Sequence, residues 1–169
     1  MHALVQLLEP WKSRYANSTA LSLTITTTHL FALLIGGGLA IAADRSTLRA
    51  LRPGRNPWER EHQLSELCYL HRPVLIGLMV VLVSGLLIAA ADVETFAVSP
   101  VFWAKMALIL LLVVNGMMLA RAERKLVATF KLKQEPSPDL WSKLRLATWA
   151  SLILWVLTAA AGALLTAVA

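Results

Sequence analysis

Four histidines, one cysteine and five methionines are the side chains of this chain that could hold a metal or a haem iron. One of them, His29, sits in the stretch LTITTTHLFALLIGGGLA, residues 23–40, which is otherwise apolar enough to cross a membrane. A neutral imidazole at such a depth has three uses. It can ligate iron, it can close a hydrogen bond among the neighbouring threonines, or it can handle a proton or ion. At 100° per residue, His29 shares its helix face with Ser18, Ser22, Thr26, Ala32, Gly36 and Ala40. Half of that face is hydroxylated. The other half is a small-residue ladder that lets a second backbone come close. Thr24 and Thr27 fall on the opposite face, where threonine can bond back to its own helix.

An iron held by His29 in haem b would need a second ligand or an open position. His62 and His71 are nine residues apart, on opposite faces of one helix, and cannot share a metal. His71 is the other membrane-side histidine. Helical rise puts it about 15 Å from the level of His29, more than two axial ligands of one iron allow. Met79 and Met106 each fall within about a turn of that level, and methionine is a known haem partner. A second polar level combines His71, Asn115 and Ser151 on three helices, an expected interhelical hydrogen-bond layer. Lys105, near one membrane edge, is expected to snorkel outward to Asp92 or Glu94, with a quinol or ion site at that rim as the functional alternative.

The elements that position these residues follow from composition. The chain has 169 residues, is 57% apolar and has a mean hydropathy of +0.64. A spanning helix takes about 20 apolar residues. Residues 18–43, 67–91, 101–120 and 146–169 all qualify. The expected fold is therefore all-α: one integral-membrane four-helix bundle over residues 1–169, with a short amphipathic N-terminal helix and cytoplasmic helical extensions. The first span is too long, and its leader too little basic, for a secretory signal. Cys68 alone can make no internal disulfide and packs as a small apolar group.

Charge sets the orientation. Apart from Lys12, Arg14 and Lys105, the cations fall in two blocks, residues 45–72 and 121–145. The positive-inside rule puts both blocks in the cytoplasm, and both termini and the acidic ADVETF turn outside, in a bacterial-type inner membrane. The formal charge of +6 then reports topology and contact with lipid headgroups, not nucleic acid.

Local signals refine the boundaries. Residues 1–11 read as an interfacial half-helix ending at Pro10-Trp11, with Asn17 as the cap of the first span. NPWE at 56–59 and SPD at 137–139 carry cap-plus-proline starts, so the second helix begins about three turns before its span. The third helix continues past the membrane through RAERKLVATFKLK. Its Leu126, Val127 and Phe130 are expected to meet Leu64, Leu140, Trp141 and Leu144 in a helical collar. Pro73 should kink the second helix.

THLFALLIGGGLAIAADR, VLVSGLLIAA and SPVFWAKMALILLLVVNG together resemble the four-helix CopD-like membrane proteins and their uncharacterised relatives. The similar pattern is Ser84-Gly85-Leu86-Leu87, a short turn, then Lys105 early and Asn115 late in the third span, over about residues 20–120. The resemblance implies copper handling, and more loosely the architecture of four-helix b-type cytochromes. It would give His29 a site role and Lys105 and Asn115 structural or site roles. The chain departs from it in lacking a Met- or His-rich outer loop to collect copper, and in lacking the four histidines of a dihaem protein.

Three functions remain: an electron carrier with one haem b on His29, a non-catalytic accessory subunit of a larger membrane complex or homo-oligomer, and a copper permeation protein. No nucleophile–base pair, phosphate loop or membrane carboxylate pair is evident in the sequence, so no enzyme is expected.

Overall fold

The computed structural model describes the backbone of residues 2–52, 54, 57–132, 134 and 136–168. The side chains of 2–4, 57–61, 63, 64, 66–68, 71, 166 and 168 lie outside that description. Among the described residues the chain is all-helical. The elements are α1 (His2–Asn17), α2 (Thr19–Ala50), α3 (Pro57–Ala91), α4 (Val93–Val98), α5 (Pro100–Lys131) and α6 (Pro138–Val168). Helices α2, α3, α5 and α6 each hold a segment long and apolar enough to cross a membrane. Their flanks expose Phe31, Leu34, Leu110, Met118, Ile153 and Val156, a surface suited to lipid and not to water.

The helix starts follow from cap chemistry. Ser18, not Asn17, caps α2: its backbone is extended and its hydroxyl accepts from the Leu21 amide at 3.3 Å. Asn17 instead ends α1, which runs on through Pro10 rather than stopping there. Trp11 anchors α1 by donating its indole N–H to the Leu87 carbonyl of α3 at 2.9 Å. Ser99 caps α5, with Pro100 in the first helical position. The Ser137 hydroxyl accepts from the Leu140 amide as α6 opens. Helix α3 begins at Pro57, as NPWE predicts, and continues through Pro73; Asn56 and the Glu59 side chain lie outside the described residues.

The four long helices form a ring in which α2 packs most extensively on α3, and α5 on α6, with α3–α5 and α2–α6 closing it. The three glycines of α2 explain the tightest contacts. A Cβ on Gly77 of α3 would lie 3.0 Å from the Gly36 Cα, so these two backbones touch. A Cβ on Gly37 would sit 3.3 Å from the Trp155 indole of α6, while one on Gly38 would meet open space. Thus Gly36 admits α3, Gly37 admits Trp155, and Gly38 lies outside the packing seam.

Two apolar clusters pack around that contact and towards the basic end. Ala40, Leu78, Ile109, Leu112 and Trp155 fill the middle. Leu51, Leu119, Leu126 and Leu144 fill the end rich in arginine and lysine, with Val127, Phe130, Leu140 and Trp141 packed against them. The Phe130 and Trp141 rings lie 6.0 Å apart. This is the collar expected from the sequence; the side chain of Leu64 lies outside the described residues.

Because the Gly36–Gly77 contact has no slack, Gly77→Val is expected to destabilise the bundle by about 1–3 kcal/mol through overpacking. Gly38→Ala should leave it unchanged or slightly more stable. Thermal unfolding of the two variants in detergent, followed by circular dichroism, measures the difference.

Candidate functional site

The glycine contact also sets the register of the site. Helices α2 and α3 run antiparallel, so seven residues from Gly36 towards the α4 end lies His29, and seven from Gly77 the same way lies Ser84. Two helical turns on each side keep the same faces together. His29 Nδ1 accordingly lies 2.9 Å from Ser84 Oγ. Gly85 completes the fit, since a Cβ there would come within 3.1 Å of the ring Cε1.

The hydroxyl of Ser84 decides the tautomer. Its single proton goes to the carbonyl of Val80 at 2.5 Å, with that of Val81 at 3.3 Å. With the hydroxyl proton on Val80 the oxygen accepts from His29, which is the arrangement that puts the imidazole proton on Nδ1 and the lone pair on Nε2. The imidazole also has a hydrogen-bond contact with the backbone of Val81. A ring held in this way by its other nitrogen is the arrangement of a histidine prepared to ligate or to accept a proton.

His29 lines a cavity of about 330 Å³ at the α4 end of the ring. Helices α3, α5 and α6 supply apolar walls such as Val81, Ile88, Phe102 and Ile109, and α4 closes over Phe96. Two further groups reach it. Met106 lines the same cavity, and so does Lys105, whose Nζ lies against α6 where a Cβ on Gly162 would be 3.3 Å away. Lys105 therefore points inward. The expected pairing with Asp92 or Glu94 is not made; Glu94 instead pairs with Lys12 of α1 at 3.4 Å. No described carboxylate pairs with Lys105.

The remaining candidates separate. Met79 is half-exposed and belongs to a different, lipid-facing apolar pocket with Thr24 and Leu87. The side chain of His71 lies outside the described residues. Its backbone position in α3 is six residues from Gly77 towards the basic end, about 20 Å along the bundle from His29. Thr26 lines the cavity and its hydroxyl lies 3.3 Å from the Tyr15 hydroxyl of α1. Ser22 bonds back to the Thr19 carbonyl, and Thr24 to that of Ala20. Asn115 crosses to α6, donating to the Ala147 carbonyl at 2.9 Å. Ser151 is buried around a separate small cavity that it shares with Asp44. Asn115 thus meets a backbone carbonyl one turn from Ser151, not a side-chain layer.

Sequence reasoning missed a polar cluster at the basic end. Asp44, Thr47, Glu123 and Thr148 are all at most 2% exposed. The Thr47 hydroxyl lies 3.1 Å from the Ala43 carbonyl and 3.4 Å from Glu123 Oε1. The signal was present as periodicity. Asp44 continues the Gly36–Ala40 ladder by four residues, and Glu123 falls on the Leu112–Leu119–Leu126 stripe.

Searches of protein-family models, curated proteins and solved structures found no match to this chain. Fold and site define its class: an all-helical four-helix bundle, each long helix able to cross a membrane, with an oriented histidine and a lysine on one internal cavity.

A double-mutant cycle with Ser84→Ala and His29→Leu measures the contact that orients the ring. The expected coupling is about 0.6 kcal/mol and at most about 2 kcal/mol, the range for hydrogen bonds between membrane helices. Additive unfolding energies would show that the two side chains do not interact.

Proposed function

We propose that this is a multi-pass inner-membrane protein that carries electrons on a haem b held by His29. The carrying observation is the imidazole whose Nδ1 lies 2.9 Å from the Ser84 hydroxyl on a ring that lines an apolar cavity; with the proton on Nδ1, the Nε2 lone pair is left to ligate. The chemistry of the donors favours a porphyrin over a bare metal ion, although a cavity of about 330 Å³ would have to widen to admit one. A bare ion needs three or more protein ligands, and no such group of His, Cys, Asp or Glu converges among the described residues. A porphyrin brings four nitrogens of its own and asks the chain for one or two. His29 would supply the first and the Met106 thioether, on the same cavity, the second. Lys105 would offer its ammonium to an acidic substituent, and the apolar walls would exclude water. Haem bound there supplies one-electron redox chemistry.

A second reading is favoured by Lys105 itself. An ammonium with no described carboxylate partner and an imidazole lone pair form a donor–acceptor pair suited to a quinol headgroup. The cavity of about 330 Å³ lies at the small end of ligand sites, which suits one ring. Both readings place the cavity in the outward half of the membrane. That orientation follows from the positive-inside rule, with the basic collar in the cytoplasm.

Purified protein, as isolated and after addition of haemin, is expected to show a Soret band that is lost in His29→Ala. In Met106→Leu the band should persist with the spectrum of a five-coordinate, high-spin iron. Colourless protein under both conditions refutes the haem. Organic extraction of the same sample then tests the second reading, which requires a bound quinone that Lys105→Gln releases.

A further inference from the structure

A second concave site lies at the other end of the molecule, between α2 and α6. It is an open groove of about 640 Å³ whose polar lining is arginine: Arg45 and Arg49 from α2, Arg52 from the turn that follows it, and Arg145 from α6. The sequence makes this stripe. Positions 45 and 49 are four residues apart on one face of α2, and Arg52 follows in the turn after the helix, lining the same groove. Arg145 and Trp149 are likewise one turn apart on α6. Like charges at these spacings repel one another, and Arg45, Arg49 and Arg145 have no carboxylate partner among the described residues. The nearest acid in sequence, Asp44, is buried inside the bundle and does not line the groove. An anion entering between Arg45, Arg49 and Arg145 relieves their mutual repulsion.

The apolar lining identifies the anion's source. Leu48, Leu152 and the half-exposed Trp149 share the walls with the arginines. From Thr19 to Arg45 the helix rises about 39 Å, more than the roughly 30 Å hydrocarbon core, which places the guanidinium groups at headgroup depth. Trp149 lies one turn deeper than Arg145, where an indole sits at the boundary between headgroup and acyl chain. Arginine forks bind phosphate oxygens in bidentate fashion. We propose that this groove is a specific site for an anionic phospholipid of the phosphatidylglycerol or cardiolipin class. Its phosphodiester sits among Arg45, Arg49 and Arg145, and its acyl chain lies along Leu48, Trp149 and Leu152. A free phosphate ligand would use the same guanidinium groups and gain nothing from these apolar walls.

Native mass spectrometry of the full chain, released from micelles of mixed phosphatidylcholine, phosphatidylglycerol and cardiolipin, reads the site. The expected result is retained anionic lipid. Affinity should fall about fivefold for Arg145→Gln and about a hundredfold when Arg45, Arg49 and Arg145 are all Gln, at about a factor of five per removed charge. These side chains are exposed, so folding is not at risk. The control replaces Arg121, Arg124 and Lys131, three cations at the same end outside the groove, and should keep the lipid. Equal retention of phosphatidylcholine, or equal loss in the control, overturns the proposal. So does displacement of the bound lipid by inorganic pyrophosphate at matched ionic strength, since the site would then select phosphate alone.

Discussion

The contact between Gly36 and Gly77 is the constraint on which the rest of the molecule depends. Two helices that touch at the backbone cannot slide past one another without lifting apart, so their register is fixed over their whole shared length. Seven residues in one direction that register brings His29 to Ser84. Seven in the other it brings Ala43 of α2 opposite Leu70 of α3, at the edge of the collar cluster. The site and the collar are consequences of one close approach.

Glycine recurs wherever a functional side chain crosses to a neighbouring helix. Gly85 leaves room for the imidazole of His29, and Gly162 for the amine of Lys105. Gly37 does the same for Trp155, which seals the middle of the ring below the cavity. Polar groups inside an apolar bundle need partners or lose stability. This chain meets most of that need locally. Thr24, Thr47, Thr148 and Thr158 each donate to a carbonyl one turn back, so few side chains are left to reach across the ring. Among those that do, His29 bonds Ser84 and Asn115 bonds the backbone of α6.

Much of this was legible in the sequence. The four apolar stretches, the proline-led starts of α3 and α6 and the collar residues follow from helical period and cap chemistry alone. His29 could be placed on the same face as Gly36 because that face is a property of one helix. What could not be read was any feature set by a partner helix. The inward turn of Lys105 depends on Gly162 of α6 and on α1 docking, which brings Lys12 to Glu94. Met79 and Met106 lie at comparable depth, and only the rotation of α3 and α5 in the ring puts Met106 on the cavity that His29 lines and Met79 on an outward-facing pocket. Asp44 and Glu123 lie outside the four apolar stretches and drew no attention in sequence, although their spacing places them on buried stripes.

The central claim is that Ser84 holds His29 as the Nδ1–H tautomer, with the Nε2 lone pair available to a ligand. Long-range ¹H–¹⁵N correlation spectra of ¹⁵N-histidine-labelled, cofactor-free protein in detergent test it directly, with His29→Gln assigning the signals. The account predicts a neutral imidazole with a protonated Nδ1 and a lone-pair-bearing Nε2, and loss of that preference in Ser84→Ala. A neutral His29 protonated at Nε2 would contradict it.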